Sequence, residues 1–139
     1  MIYSKTAKYA ILALAEVTRR SHGDFVSTQD IAAVAGIPYA HFAKTIALLK
    51  RAGLVLTSRG KTGGIALARA ADKITVLDVV LAIDGPGTLN DCPLFLEACD
   101  CRRNCSLHTL WRETRDAVVT FLTHTTIADV AAARADVLS

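Results

Sequence analysis

The sequence predicts a mainly α-helical protein with one small β-hairpin: a winged helix-turn-helix followed by a long C-terminal helix. Apolar residues recur at helical spacing along most of the chain. Two short β-prone runs, residues 54–57 and 64–67, flank a glycine-rich basic tip. Basic residues are concentrated in the first half of the chain. Together these three features predict the order helix, helix, helix, basic hairpin and further helices.

Three helices are predicted before the hairpin. Helical periodicity covers residues 5–20. Ser27, three residues before Asp30, resembles the start of a capping box and begins a second helix that Gly36 ends. Pro38 is predicted in the first turn of a third helix. The predicted buried side of this third helix is Phe42, Ile46 and Leu49.

The second half is predicted to contain three more helices. Residues 75–84 form the first of them, and the run Gly85-Pro86-Gly87 ends it. A cysteine-containing stretch follows as irregular structure. A long amphipathic helix over residues 107–124 and a short helix over residues 127–135 complete the prediction.

The charge is unevenly distributed along the chain. Residues 1–70 carry ten Lys or Arg and three Asp or Glu, a balance of +7, whereas residues 71–139 carry six and ten, a balance of −4. This asymmetry predicts that the first half binds a polyanion. No apolar run approaches the roughly 20 residues of a membrane span, and the start lacks a signal-peptide pattern. We therefore expect a cytoplasmic protein without a membrane partner.

The order of the first elements is typical of DNA-binding winged helix-turn-helix domains. There the second helix of the motif presents its first residues to the major groove, and a glycine-rich wing can enter a minor groove. We expect double-stranded DNA as the partner. The candidate DNA-contacting residues are Thr28, then Tyr39, Ala40, His41 and Lys44 with Thr45 beside them, and Arg59, Gly60 and Lys61 on the wing.

All four cysteines lie in one short segment, at positions 92, 99, 101 and 105. In a reducing compartment such clustering favours a metal or redox site over structural disulfides. Three thiolates and the imidazole of His108 can surround one metal centre, either an iron–sulfur cluster or a structural zinc. A metal-free thiol–disulfide switch is a further alternative. A thiol enzyme is disfavoured because no motif for an oxyanion hole or a substrate cleft is present.

Six runs of sequence carry a resemblance that spans nearly the full chain. They are SKTAKYA (4–10), DIA (30–32), LLKRAGLV (48–55), RGKTGG (59–64), DVV (78–80) and CSLHTLW (105–111). The last run is the most specific. Together they resemble the iron–sulfur winged-helix regulators of bacteria, a family that includes the cluster-assembly regulator IscR and the nitric-oxide sensor NsrR.

This resemblance implies a transcription regulator that senses cluster status, redox state or nitric oxide. It implies an iron–sulfur cluster, 2Fe–2S favoured over 4Fe–4S, held by Cys92, Cys99, Cys105 and His108. The gap from Cys92 to Cys99 is one residue longer than in the family, so Cys101 is an alternative second ligand. In some relatives an acidic residue of the partner's first helix ligates the cluster. Lys8 occupies that position here, which favours His108.

The resemblance also implies a homodimer in which the helix over residues 107–124 crosses its counterpart. The two DNA-binding domains of the dimer would then bind a near-palindromic operator. On this interpretation residues 1–70 form the DNA-binding domain, and residues 71–139 provide the cluster-binding loop and the dimerisation helices.

Overall fold

The structure is a computed structural model that describes residues 2–21, 23–60, 64–94 and 105–138. In these ranges it contains six α-helices and one antiparallel hairpin, which confirms the predicted fold class. No single helix there is long and apolar enough to span a membrane; only the bent pair Thr28–Ala35 and Tyr39–Arg51, with 113° between the two helices, has that length and composition when taken together. The elements are α1 Lys5–Arg20, α2 Thr28–Ala35, α3 Tyr39–Arg51, β1 Val55–Ser58, β2 Gly64–Leu67, α4 Val76–Asp84, α5 His108–His124 and α6 Ile127–Leu138, with 3₁₀ turns at Ala71–Lys73 and Thr88–Asn90.

Local sequence explains where the helices begin and end. The hydroxyl of Ser27 accepts a hydrogen bond from the backbone N–H of Asp30 at 3.4 Å and caps α2. Gly36, at φ +71°, ends that helix in the left-handed conformation that glycine adopts most easily. A reciprocal capping box forms before α4, where Thr75 and Asp78 exchange two bonds of 3.0 Å. Pro38 lies one residue before α3 rather than in its first turn.

The wing is attached to the helix-turn-helix by a short pairing that periodicity did not predict. Val26 and Ile65 exchange backbone hydrogen bonds of 2.9 and 2.8 Å, so the segment before α2 lies beside β2. At Gly64 the two backbones approach so closely that an added Cβ would lie 2.0 Å from the carbonyl oxygen of Val26. Only glycine fits at this position without a backbone shift.

One hydrophobic core joins the two halves of the chain, and α1 contacts α2, α4 and α6 around it. Charge also links α1 to α6. Glu16 is only 3% exposed, and its carboxylate lies 2.7 Å from Arg19 and 3.9 Å from Arg134 of α6. Because protein interiors are close-packed, a displacement of α4 or α6 must be accommodated by α1. The largest fully buried side chains include Leu14, Ile31, Phe42, Leu49, Ile65, Ile74, Leu122 and Ile127.

Candidate nucleic-acid interface and cysteine segment

The first turns of α3 present the predicted DNA-contacting side chains to solvent. Tyr39 is 51% exposed, which leaves its ring and hydroxyl accessible to a ligand. On the opposite side Phe42 and Leu49 are buried as predicted. These two anchors turn the remaining positions of the first two turns outward. The exposed candidates on α3 are Tyr39, Ala40, His41 and Lys44.

Two other positions of α3 differ from the prediction. Thr45, expected near the outward side, is only 1% exposed, so that expectation is wrong. Its hydroxyl donates to the carbonyl oxygen of His41 at 3.1 Å, which allows this polar side chain to be buried. Ile46, expected in the core, is half-buried at its margin. The boundary between the exposed and buried faces of α3 is therefore shifted relative to the one that periodicity predicted.

His41 also contacts α1. Its Nε2 atom shares a hydrogen bond of 3.1 Å with the hydroxyl of Thr6. Its ring meets the ring of Tyr9 edge-on, with centroids 6.1 Å apart. The ammonium group of Lys5 lies 5.6 Å from the centroid of the Tyr9 ring. These contacts join the first turns of α1 to the exposed face of α3, the predicted recognition helix of the helix-turn-helix motif.

The remaining DNA-contact candidates lie on α2 and on the wing. Thr28 is the first residue of α2 and is half-buried. Arg59 and Gly60 follow β1 and are exposed, and Gly60 has φ +96°, a conformation that favours glycine. Lys61 lies outside the described residues.

The cysteine segment begins at a turn that α5 holds in place. Arg115 of α5 donates from Nε to the carbonyl oxygen of Leu89 at 2.7 Å. It also donates from Nη2 to the side-chain oxygen of Asn90 at 2.7 Å. Both bonds fix the 3₁₀ turn Thr88–Asn90, which ends two residues before Cys92. The position of the backbone that leads into Cys92 is therefore set by α5.

Three of the candidate ligands lie within the described ranges. Cys92 is half-buried and Cys105 is exposed, and both are free thiols. His108 is the first residue of α5, and its backbone N–H donates to the carbonyl oxygen of Cys105 at 3.2 Å. Cys99 and Cys101 lie outside the described residues. Among the residues that the structure describes, no three His, Cys, Asp or Glu side chains are grouped to hold a metal ion.

A cavity of about 640 Å³ opens beside Cys92. The N-terminal residues, the end of α4, the turn at residues 88–90 and α5 form its walls. Trp111 of α5 is one of the lining residues, and its indole Nε1 is buried without a hydrogen-bond partner in the described part of the chain. An unpaired buried donor costs about 1–3 kcal/mol, so this wall suits a ligand that supplies an acceptor.

The end of α4, which lines the cavity, is bonded to the start of α1. The carboxylate of Asp84 accepts a hydrogen bond from the backbone N–H of Ser4 at 2.8 Å and a second one from the Ser4 hydroxyl. That hydroxyl in turn accepts from the backbone N–H of Ala7 at 3.0 Å and caps α1. The start of α1 is therefore bonded both to the end of α4, eight residues before Cys92, and, through Thr6, to His41 of α3.

The long helix α5 carries apolar residues on two faces. Trp111, Val118 and Leu122 line the cavities and pack toward the rest of the chain. A second stripe faces solvent, where Leu110 is 65% exposed and Phe121 is 62% exposed. The members of this stripe, spaced by three and four residues, are Leu107, Leu110, Thr114, Ala117 and Phe121.

Comparison with known proteins identifies the family. The profile of the Rrf2 family, described as iron-dependent transcriptional regulators, matches residues 3–133. This chain belongs to the Rrf2 family. The Rrf2 protein is 32% identical over 130 residues to the HTH-type transcriptional regulator IscR of Erwinia tasmaniensis, a match that covers 94% of this chain and 78% of the relative. It is a DNA-binding transcriptional regulator, and the predicted family resemblance is confirmed.

Solved structures of other regulators share the fold. CymR, the global cysteine regulator of B. subtilis, superimposes with a TM-score of 0.78 at 25% identity, over 93% of this chain and 95% of CymR. The IscR of T. potens superimposes with a TM-score of 0.72 at 24% identity, over 91% of this chain and 83% of that one. These similarities agree with the winged-helix architecture of the Rrf2 protein.

Several residues that connect the elements were not found by sequence reasoning. Ser4 and Asp84 are 80 residues apart, and no periodicity or local motif relates them. The same holds for Arg115 and the turn at residues 88–90. A weak signal existed for Thr6 and Trp111, because both lie within runs that carry the family resemblance. Their particular contacts depend on the tertiary fold.

Proposed function

We propose that this Rrf2 protein is a homodimeric regulator that senses iron–sulfur cluster status, redox state or nitric oxide. Residues 1–70 bind DNA, and residues 71–139 hold the cluster and dimerise. One observation carries the proposal: Asp84, eight residues before Cys92, is bonded to Ser4, which caps the turn of α1 whose Thr6 contacts His41 of the recognition helix. The relatives named IscR support a cluster as the group that is bound.

The proposed ligands are Cys92, Cys99, Cys105 and His108, with Cys101 as the alternative to Cys99. Thiolate and imidazole are donors that iron–sulfur clusters accept, and imidazole ligation is known from 2Fe–2S centres. When bound, the cluster supplies a redox-active centre whose charge depends on its oxidation state. His108 begins α5, so a rigid element sets the position of that ligand.

On the DNA side, α3 enters the major groove and the wing follows the adjacent minor groove. Tyr39, Ala40, His41 and Lys44 provide the contacts of α3, and Thr28 supplements them at the start of α2. Arg59, Gly60 and Lys61 provide the contacts of the wing. Exposed cations on both elements supply phosphate contacts, which make such binding sensitive to salt.

A second copy of the chain covers the solvent-facing stripe of α5 in this proposal. Leu110 and Phe121 are large apolar side chains exposed on one face of α5, and neighbouring exposed apolar residues of this kind favour a protein contact. Phe121 also borders an apolar hollow of about 380 Å³ that includes Ile2 and Val118. Crossing of two α5 helices would place two recognition helices on a near-palindromic operator.

Sensing then works by a shift in population. The bound cluster stabilises one geometry of the cysteine segment and of the turn that precedes it. Asp84 and Ser4 transmit that geometry to the first turn of α1, and Thr6 transmits it to His41. DNA selects among the resulting positions of α3.

The first test is absorption spectroscopy with iron and sulfide analysis on protein purified without oxygen. We expect visible bands with matched iron and acid-labile sulfide, lost in Cys92→Ala and in Cys105→Ala but retained in the neighbouring control Ser106→Ala. Full absorbance in Cys105→Ala would refute the ligand assignment. Zinc without iron, or a reversible disulfide without metal, would assign the cysteines to a structural zinc or a thiol switch and leave DNA binding intact.

A further inference from the structure

Trp111 is the only tryptophan in the chain. It lies one turn after His108 on α5 and lines two cavities, the large one beside Cys92 and a smaller one formed with Asn90, Arg112 and Arg115. The Nε1 atom of its indole ring is buried and makes no hydrogen bond with the residues that the structure describes. Folding removes this donor from water without replacing its bond, which native structures rarely leave uncompensated. An acceptor that enters the cavity would satisfy it.

Several acceptors of the described cavity wall are already bonded. The Asp84 carboxylate accepts two hydrogen bonds from Ser4. The carbonyl oxygen of Leu89 and the side-chain oxygen of Asn90 accept from Arg115. The carboxylate of Asp91 also lines the cavity, but this residue is exposed to solvent. Because these acceptors are already engaged, the indole N–H remains available to donate a hydrogen bond to a group that enters the cavity.

Trp111 lies near Cys92 in the structure and near Cys105 in the sequence. Cys92 lines the same cavity. Arg115, one helical turn after Trp111, fixes the backbone that leads into Cys92. Cys105 lies six residues before Trp111, in the segment that runs into the first turn of α5. A group ligated by Cys92, Cys105 and His108 would therefore lie at the turn of α5 that carries the indole ring.

We propose that the Trp111 indole N–H donates a hydrogen bond to a sulfur atom of the cluster, either a cysteinate or a bridging sulfide. This inference rests on the proposed function. The sulfur atoms become more negative when the cluster is reduced, so a donor stabilises the reduced form more than the oxidised form. Hydrogen bonds to the sulfurs are one of the factors that set cluster potentials. Trp111 is thus a tuning residue rather than a ligand.

The test compares loaded full-length wild type with Trp111→Phe, which keeps an aromatic ring but removes the N–H. The matched control is Tyr3→Phe, because it removes one hydrogen-bond donor from another aromatic side chain that lines the same cavity and lies outside the stripe of α5. We expect Trp111→Phe to keep its visible bands and to show a more negative midpoint potential. At a fixed ambient potential its ratio of reduced to oxidised cluster falls several-fold, whereas the control matches wild type.

A second measurement needs no substitution. Because Trp111 is the sole tryptophan, ¹⁵N-labelled tryptophan places a single indole label in the protein. Pulsed EPR of the reduced wild type should detect coupling between that nitrogen and the cluster spin. An unchanged potential in Trp111→Phe, or no ¹⁵N coupling in wild type, overturns this inference and leaves the proposed function standing. A loaded wild type without visible bands overturns both.

Discussion

At the scale of single residues, Gly64 determines how the wing is attached. A Cβ at this position would lie 2.0 Å from the carbonyl oxygen of Val26, so Gly64→Ala must separate β2 from the segment before α2. We expect the free energy of unfolding to fall by about 1–3 kcal/mol, the usual range for overpacking. Operator affinity should fall as well. Urea unfolding and a DNA titration measure the two effects.

The control for this substitution is Gly87→Ala. A Cβ at Gly87 would have no heavy atom within 4 Å, and the residue has φ −84°, which alanine adopts freely. Its stability should stay within about 0.5 kcal/mol of wild type. If Gly64→Ala proves as stable as Gly87→Ala, the pairing of Val26 with Ile65 does not hold in solution.

Lys44 tests the DNA-binding face of α3. It is exposed beside the buried anchor Phe42 and is expected to contact a phosphate. Lys44→Ala should weaken binding to a promoter fragment and reduce the slope of log affinity against log salt by about 0.9, the effect of one lost phosphate contact. Lys73→Ala, an exposed lysine in the 3₁₀ turn after the wing, should leave that slope unchanged. Equal slopes for all three proteins would remove Lys44 from the interface.

At the scale of elements, the first turn of α1 is the connection to test. Thr6→Val keeps the shape of the side chain but removes the hydrogen bond to His41. Allosteric coupling typically changes affinity about 5- to 150-fold, so the ratio of operator affinities of cluster-loaded and cluster-free protein is the quantity to measure. We expect this ratio to fall toward one in Thr6→Val. Thr123→Val, an exposed position on α5, should keep the wild-type ratio. A wild-type ratio in Thr6→Val would exclude this route.

The elements themselves were largely predictable, because their signals are local. The bounds predicted for the first helix, residues 5–20, match α1, and Thr75 caps α4 where the fourth helix was expected to begin. The misses arise where tertiary contacts override periodicity. Thr45 is buried because its hydroxyl bonds to the backbone one turn earlier, and Val26 pairs with Ile65 across 39 positions of sequence.

The candidate site was predictable as a set of residue types but not as a geometry. The spacing of Cys92, Cys105 and His108 indicated a metal or redox centre without showing what surrounds them. The bond from Ser4 to Asp84 joins residues 80 positions apart, and the unpaired indole of Trp111 depends on how α5 packs. These features depend on the tertiary fold, because no sequence pattern indicates which residues Asp84 and Trp111 contact.

At the scale of the whole molecule, the two halves of the chain share one core, so the proposed cluster sensing in the second half is mechanically linked to the helix-turn-helix in the first. α1 contacts α2, α3, α4 and α6, which places it between the recognition helix and the second half. The ion pairs around Glu16 strengthen this arrangement by holding Arg134 of α6 near α1. On the proposed mechanism, a change that begins in the cysteine segment would reach α3 through packed helices.

The proposed regulator is a dimer, and a substitution in the exposed stripe of α5 tests this. Leu110→Glu places a charge where a single chain has the side chain 65% exposed, so the fold of the protomer should persist. In a dimer the same charge would be buried without a partner, which is strongly unfavourable. We expect half the wild-type mass in sedimentation equilibrium and a lower affinity for a two-half-site operator. Val137→Glu, 77% exposed on α6, is the matched control and should remain dimeric. A Leu110→Glu protein that keeps the wild-type mass and affinity would place the dimer interface elsewhere.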